Sequence, residues 1–158
     1  MVRLRPMTGD ELVAFRSWSE RQYAEDQTRS GRWVASEAEA KARAEFDQLL
    51  PEGLGTPDHF LRIILDDTTG QAVGEVWYNL QRQVGAGQLF VYWIGIAEEH
   101  RRRGLGSDVL RLLEREAVDL GVHRLALHVF GENTAAQGLY RKMGFVPTNV
   151  LMAKTIPG

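Results

Sequence analysis

The 158-residue sequence contains no cysteine. Disulfides, thiolate metal sites and cysteine nucleophiles are therefore excluded, and the redox compartment is left open. An excess of charge of one sign is also lacking, because 19 Lys and Arg residues stand against 21 Asp and Glu residues, a formal net charge of −2. A protein with this balance has no global basic field that would bind nucleic acid or a membrane surface. Any anion site must therefore be local.

Long apolar runs are missing as well. No segment has the length of a signal peptide or of a membrane span, and charge alternates in the first residues. We therefore expect a cytoplasmic protein with neither a membrane partner nor a nucleic-acid partner. What the chain does have is a hydrophobic content of 44%, enough for one substantial core. We expect residues 1–158 to form a single domain.

Hydrophobic periodicity predicts a succession of short strands and amphipathic helices. Strands are indicated by clusters of β-branched and aromatic residues, and helices by apolar residues that recur every three or four positions. The predicted strands cover residues 2–5, 60–65, 72–80, 88–97, 124–130 and 150–156. The predicted helices begin near Gly9, Ser36, Ser107 and Thr134, with a loop over residues 26–35. The order β-α-α-β-β-β-α-β-α-β indicates an α/β protein of the mixed α+β type.

A glycine-containing loop lies between the fourth predicted strand and the following helix. Arg101 to Arg103 precede Gly104 and Gly106. The unpaired N–H groups at a helix start suit a phosphate or pyrophosphate, and glycine lets the anion approach the backbone closely. The alternative is a surface turn with solvated basic residues. Neither a dinucleotide fingerprint, which needs a glycine where Val109 stands, nor a Walker loop fits.

A second distinctive segment runs from Asn133 to Phe145. Asn133 is a typical helix N-cap, and Gly144 followed by Phe145 is typical of a Schellman C-cap, so part of the pattern is structural. Tyr140 gains a functional meaning only if its hydroxyl points into a cleft. A helical tyrosine is more commonly a residue at the edge of the core.

Two spaced motifs resemble the paired signature of the GNAT N-acetyltransferase superfamily: Arg101-x-x-Gly104-x-Gly106 and Asn133-x-x-Ala136-x-x-Leu139-Tyr140-x-x-x-Gly144-Phe145. The separation of the motifs and the order of elements match too, so the resemblance covers nearly the whole chain. Shorter segments, such as Tyr23-Ala24-Glu25, resemble a poorly characterised bacterial subgroup. The resemblance implies a mostly antiparallel central sheet flanked by helices, whose fourth and fifth strands splay apart to admit acetyl-CoA.

The same resemblance implies an enzyme that moves an acetyl group from acetyl-CoA to a primary amine by direct attack, without a metal. The acceptor would be a small-molecule or peptide amine. Glu98, where many relatives have proline, departs from the pattern at the end of the fourth strand. The implied cofactor-binding residues are Ile94, Gly95, Ile96, Ala97, Arg101, Arg102, Arg103, Gly104, Leu105, Gly106, Ser107, Asn133, Ala136 and Tyr140. A bulge within residues 94–97 would aim an amide at the thioester carbonyl.

Tyr140 is the candidate general acid. A phenol with a pKa near ~10 stays protonated at neutral pH and can protonate a leaving thiolate. Glu75, on an apolar strand, is the candidate base, and a solvent-facing carboxylate is the alternative. His128 on its apolar strand is more commonly a hydrogen-bonded core residue. Trp33 either anchors its loop or walls the acceptor pocket, with anchoring favoured.

Two other functions compete with the enzyme. A non-catalytic acyl-CoA-binding sensor or a partner-binding domain would keep the fold without turnover. A nucleic-acid binder that uses the three arginines is disfavoured by the acidic balance of the chain. The sequence leaves open the identity of the acceptor amine and the oligomeric state, for which a homodimer through the late strands is one alternative.

Overall fold

The computed structural model describes residues 1–158 and contains five strands and four α-helices. The strands are β1 (Val2–Pro6), β2 (His59–Asp66), β3 (Ala72–Gln81), β4 (Gln88–Ile96) and β5 (Leu125–Leu127). The helices are α1 (Gly9–Arg29), α2 (Ala35–Leu49), α3 (Leu105–Asp119) and α4 (Thr134–Lys142). None of them combines the length and the apolarity that crossing a membrane requires.

The strands form one sheet in the order β1-β2-β3-β4-β5. The first four strands are antiparallel neighbours, whereas β4 and β5 are parallel. Parallel neighbours need a long crossover, and α3 supplies it. The sequence therefore predicted the mixed, mostly antiparallel α/β fold correctly.

The core lies on both faces of the sheet, because successive strand residues point to opposite sides. On one face α3 packs with Val109 and Leu113 against strand residues such as Ile64 and Val76. On the other face α1 and α2 pack against a second buried cluster that includes Trp77. The sheet is thus enclosed by helices on both sides, and the face below α1 and α2 is the aromatic one.

The predicted capping box is present at the start of α1 and absent from the start of α2. Thr8 and Glu11 form the predicted capping box at the start of α1, with N–H to oxygen distances of 3.2 and 2.9 Å. The corresponding box at Ser36 is absent, because α2 already begins at Ala35 with Val34 as an N-cap without a side-chain bond. Helix α1 also continues to Arg29, so the predicted loop over residues 26–35 is limited to residues 30–34. No glycine or proline interrupts α1 before that point.

The two late strands differ from prediction. Only Leu125–Leu127 of the predicted strand 124–130 forms β5, and the predicted strand 150–156 is absent. The end of the chain is exposed, and residues 146–158 donate no backbone hydrogen bond. A strand requires a hydrogen-bonded neighbour, and within one copy of the chain these residues have none.

Candidate functional site

A cleft opens where β4 and β5 separate. The two strands pair at Leu89 with Leu125, Phe90 with Ala126 and Val91 with Leu127. Beyond that point they diverge around a cavity of about 340 Å³, whose walls include residues 90–94 and 127–130. The predicted splay of the fourth and fifth strands is therefore present. It creates a gap between β4 and the edge strand β5 where backbone groups can meet a ligand.

A β-bulge marks the start of the cleft. Trp77 pairs with Trp93 and Tyr78 pairs with Val91, so Tyr92 is the additional residue of β4. From the sequence we expect the bulge within residues 94–97, and the structure corrects its position to Tyr92. A bulge changes which side of the strand the following amides face, and the position of a bulge depends on the partner strand rather than on β4 alone.

The backbone after the bulge presents polar groups to the cleft. The N–H of Ala97 donates to the carbonyl oxygen of Val73 at 2.8 Å and therefore faces β3. Because backbone groups alternate along a strand, those of Ile94 and Ile96 face away from β3, toward the gap. Arg101 confirms this for Ile96, whose carbonyl oxygen accepts from its Nε at 2.9 Å.

Two glycines, one on β3 and one on β4, occupy positions with no room for a Cβ atom. A Cβ atom on Gly74 would collide with the carbonyl oxygen of Gly95. A Cβ atom on Gly95 would lie 2.7 Å from the indole ring of Trp93. Glycine at position 95 is thus required by the packing of Trp93, independently of any ligand.

The glycine loop presents a row of unpaired N–H groups. Gly104 is the N-cap of α3 in the left-handed conformation (φ +76°) and offers no side-chain cap. Arg102 also has a positive φ of 62°. The N–H groups of Gly104, Leu105 and Gly106 have no hydrogen-bond partner within the protein. Such a concave row at the positive end of a 15-residue helix is a typical anion site.

The three arginines of this loop have different roles. Arg101 bonds to the carbonyl oxygen of Ile96, and Arg103 Nη2 lies 2.7 Å from the carboxylate of the buried Asp66. These two side chains hold the loop against the ends of β4 and β2. Arg102 is exposed and has no partner in the protein, so it is the arginine most available to a phosphate group.

Helix α4 forms the other border of the cleft and carries Tyr140. Asn133 caps the helix by accepting from the N–H of Ala136 at 3.2 Å. At the other end the N–H of Phe145 donates to the carbonyl oxygen of Tyr140 at 2.9 Å, and the N–H of Gly144 donates to that of Arg141. This is the predicted Schellman cap.

The Tyr140 side chain faces the cavity. Its ring packs against that of Phe145, with 5.5 Å between the centroids. Its hydroxyl makes no hydrogen bond within the protein, and burial raises its pKa above the usual value. The hydroxyl therefore stays protonated across the neutral pH range.

Helices α1 and α2 form the wall opposite α4. The polar residues of this wall were not predicted from the sequence. Phe15, Ser19, Tyr23 and Gln27 line the cavity at four-residue spacing along α1. The hydroxyl of Tyr23 donates to Glu45 of α2 at 2.7 Å. Burial and then this carboxylate raise the pKa of Tyr23 to about 12. The available signal was the polar Ser19 and Gln27 on the buried stripe of an amphipathic helix.

The remaining candidate residues differ in whether they line the cavity. His128 lines the cavity, and Trp33 instead packs edge-on against Tyr23 at 5.3 Å, which anchors its loop. Glu75 is not among the residues that line the cavity. It is half-buried on β3, and burial followed by the charge of Glu11 raises the pKa of its carboxyl group.

Comparisons with known proteins agree with this architecture. The acetyltransferase (GNAT) family matches residues 12–145. The uncharacterized N-acetyltransferase YdgE of Bacillus subtilis is 35% identical over 97% of each chain. YycN, another uncharacterized N-acetyltransferase of that organism, is 31% identical over 98% of this chain and 99% of its own.

Solved structures extend the comparison. The YycN crystal structure aligns over the whole of both chains, with a TM-score of 0.93 and 30% identity. AAC(6')-Iy in complex with a CoA-linked bisubstrate analogue has a TM-score of 0.63 at 17% identity, over 100% of this chain and 99% of its own. At that identity the likeness concerns the fold alone.

Proposed function

Because the chain belongs to the acetyltransferase (GNAT) family, we propose that it binds acetyl-CoA in the cleft between β4 and β5 and transfers the acetyl group to a primary amine. The proposal is supported by the position of two groups relative to each other, the amides at the start of α3 and the hydroxyl of Tyr140. Unpaired N–H groups at the start of α3 lie beside α4, where a Cβ on Gly106 would be 3.3 Å from Leu139, and the next residue of α4, Tyr140, lines the cavity with an unbonded hydroxyl. The CoA-linked analogue bound by AAC(6')-Iy supports the same choice of donor.

The pyrophosphate of the donor is assigned to the amides of residues 104–106, with Arg102 adding charge. The absence of a Cβ at Gly104 and Gly106 leaves these amides accessible. The backbone groups of Ile94 and the N–H of Ile96, whose carbonyl oxygen already accepts from Arg101, suit the amides of the pantetheine arm, as an added strand would. Asn133 uses its Oδ1 for the helix cap, so its amide nitrogen remains to donate to the arm.

The chemistry requires a neutral amine, a polarised carbonyl and a proton for the departing thiolate. When the amine attacks, a C–N bond forms and the C–S bond breaks. Tyr140 is the proposed proton donor, since its raised pKa keeps its hydroxyl protonated. A thiolate whose pKa is ~8.5 can take that proton as it leaves.

Glu75 is retained as the proposed base. Burial raises the pKa of its carboxyl group, which moves it toward neutral pH as a general base requires. Since Glu75 does not line the cavity, the proton of the attacking amine would reach it through water.

The test is an acetyl-CoA assay across a panel of amines, read by thiol release and by the mass of the product. Tyr140→Phe should preserve acetyl-CoA affinity and lower kcat by roughly 10²-fold, a typical general-acid contribution. Tyr78→Phe is the matched control, because Tyr78 is buried and bonds to Glu116 away from the cavity. That variant should keep kcat.

Two results would contradict this function. Unchanged turnover of the Tyr140→Phe variant with a slowly leaving acyl donor would make Tyr140 structural. Binding of acetyl-CoA without thiol release for any amine would instead favour the non-catalytic acyl-CoA-binding sensor.

A further inference from the structure

The cavity wall on α1 carries two buried polar atoms without partners. Ser19 is 5% exposed and Gln27 is 2% exposed. The Oγ of Ser19 and the Oε1 of Gln27 make no hydrogen bond within the protein. Buried polar groups in native proteins are nearly always bonded, and an orphaned one calls for an explanation. Both side chains line the cavity, so a ligand there can supply the missing donors.

Two carboxylates line the same end of the cavity. Asp26 precedes Gln27 on α1, and Glu45 faces it from α2 with its Oε2 bonded to the hydroxyl of Tyr23. Desolvation raises the pKa of Asp26, while its neighbour Arg29 opposes that effect. Arg32 also contributes to the lining and is exposed. Asp26 is ion-paired with Arg29 at 3.2 Å, whereas Glu45 has no cationic partner in the protein. The uncompensated acceptors of this wall fit a cationic ligand with several donors.

Aromatic residues surround the space between this wall and the donor cleft. Phe15, Phe46 and Trp77 belong to the buried cluster beneath α1 and α2, and all three line the cavity. Aromatic faces hold alkyl chains and attract ammonium groups. The surroundings thus fit a short aliphatic body with a positive charge at its far end.

We propose that this wall is the acceptor subsite and that it takes a small amine with a second, protonated nitrogen. The assignment rests on the proposed function. The reacting nitrogen points toward Tyr140 and attacks the thioester. The second nitrogen donates to Gln27 Oε1, and its charge is balanced chiefly by Glu45. The proton of the attacking nitrogen passes through water to Glu75, and the thiolate takes a proton from Tyr140.

The test compares 1,4-diaminobutane with butylamine by calorimetry on the CoA-saturated protein. The diamine should bind roughly tenfold more tightly, and Gln27→Met should remove that advantage while acetyl-CoA affinity is kept. The variant should keep its Tm, because the Oε1 atom that it removes has no protein partner. Gln48→Met, on an exposed position of α2, is the matched control.

Each outcome separates the subsite from the proposed function. Equal affinity for both amines, or unchanged diamine affinity in the Gln27→Met variant, overturns the subsite even if thiol release is observed. Tight diamine binding without thiol release supports the subsite and contradicts the acetyl transfer.

A different observation concerns the C-terminal segment, residues 146–158. Its large apolar side chains are exposed, with Val150 at 72%, Leu151 at 94% and Ile156 at 82%. None of its N–H groups donates to a backbone carbonyl. A segment of this composition and with this exposure is unusual in a monomer and marks a contact surface.

The outer edge of the sheet at β5 is incomplete. β5 is paired only with β4, and its outer edge has no strand neighbour. Helix α4 has no fully buried residue. The predicted strands 124–130 and 150–156 are respectively shortened and absent. The unpaired edge, the short β5 and the incompletely buried α4 all follow β4 in the chain. One additional strand beside β5 would pair that edge and cover apolar surface there.

The chain does not place its own C-terminal segment on this edge. Pro147 follows Phe145 closely, and it fixes its own φ and favours an extended Val146. No glycine between Gly144 and Gly158 helps the chain to reverse.

We infer that the C-terminal segment adds a strand to β5 of a second copy, and that the two copies exchange these segments reciprocally. Such an exchange is isologous and closed. Each copy would contribute the 13 residues of its segment and the residues of β5 and α4 that receive the other segment. A stable interface has about 20–30 residues per side, which is a similar number. The exchange would also support α4, which carries Tyr140.

The absence of cysteine from the chain makes a direct test simple. Leu151→Cys and Ala126→Cys are made in separate proteins, mixed through a cycle of dissociation, and treated with a short bis-maleimide. A crosslinked heterodimer of the two variants is expected, and the full chain should be dimeric by light scattering. Deletion of residues 149–158 should give a monomer.

A monomeric full chain at tens of micromolar, or a dimer that survives the deletion, overturns the exchange. A third protein carries both Leu151→Cys and Ala126→Cys. If the reagent crosslinks these two cysteines only within one chain, the exchange is also overturned. Thr155→Cys paired with Val13→Cys, an exposed residue of α1, is the control that should give no heterodimer.

Discussion

Replacement of Gly106 by alanine tests the donor site with little disturbance of the fold. Gly106 lies in the first turn of α3, and its φ is not in the left-handed region. An added Cβ would lie 3.3 Å from Cδ2 of Leu139 on α4, a flexible atom that can move by a few tenths of an ångström. Alanine is favoured over glycine in a helix by roughly 0.5–1 kcal/mol. We therefore expect the free energy of unfolding to change by less than about 1 kcal/mol, or about 2–4 °C in Tm.

The effect on binding should be larger. The methyl group would lie between α3 and α4, over the amides assigned to the pyrophosphate. A hydrogen bond to a charged group contributes about 1.5–3 kcal/mol. Loss of one such bond corresponds to a roughly 10- to 100-fold weaker affinity for acetyl-CoA, measured by calorimetry.

Gly104→Ala and Gly121→Ala complete the experiment as a matched pair. Gly104 and Gly121 have positive φ values of 76° and 81°, and neither would have a Cβ contact within 4 Å. Each variant should lose about 1–2 kcal/mol of stability from the left-handed backbone. Only Gly104→Ala should also weaken acetyl-CoA binding, because Gly121 follows α3 at its other end. Wild-type acetyl-CoA affinity in the folded Gly106→Ala protein would refute the assignment of the phosphates to this loop.

Three further predictions concern the groups around the cleft. Glu75→Gln should raise the acceptor KM or shift the pH–rate profile upward with acetyl-CoA affinity intact, and an unchanged profile would leave the base to water. The pKa of His59 is lowered by burial, and its neutral Nδ1 accepts from Trp77 at 3.0 Å. The unfolded state therefore binds more protons than the folded state in acid, so Tm should fall below about pH 6.5; the dependence should weaken in His59→Gln, and an equal pH slope would exclude His59 as its cause. Gly95→Ala should cost about 1–3 kcal/mol by overpacking against Trp93, and a wild-type Tm would show that the indole moves aside.

Short-range chemistry could be predicted from the sequence. The capping box at Thr8, the N-cap at Asn133 and the Schellman stop after α4 each involve residues within six positions of one another. The same is true of the unpaired amides at Gly104 and Gly106. In such motifs the side chain or the missing Cβ acts on the adjacent backbone, so identity and spacing suffice.

Pairing between distant segments could not be predicted in the same way. The bulge at Tyr92 exists only in relation to β3. Arg103 pairs with Asp66, which lies on another strand, whereas Arg101 bonds to the end of β4. Residues 150–156 have the composition of a strand, yet they have no neighbour within one copy of the chain.

The α1 wall of the cavity shows the same limit most clearly. Ser19 and Gln27 lie at a spacing that any amphipathic helix would allow, so the sequence could not assign them to a cavity. Their burial without partners follows from the packing of α1 over α2 and β4. The sequence by itself determined the number and order of the helices, the glycine loop at the start of α3 and the family. Which side chains meet across the cleft was decided only by tertiary structure, because it depends on contacts between residues far apart in the chain.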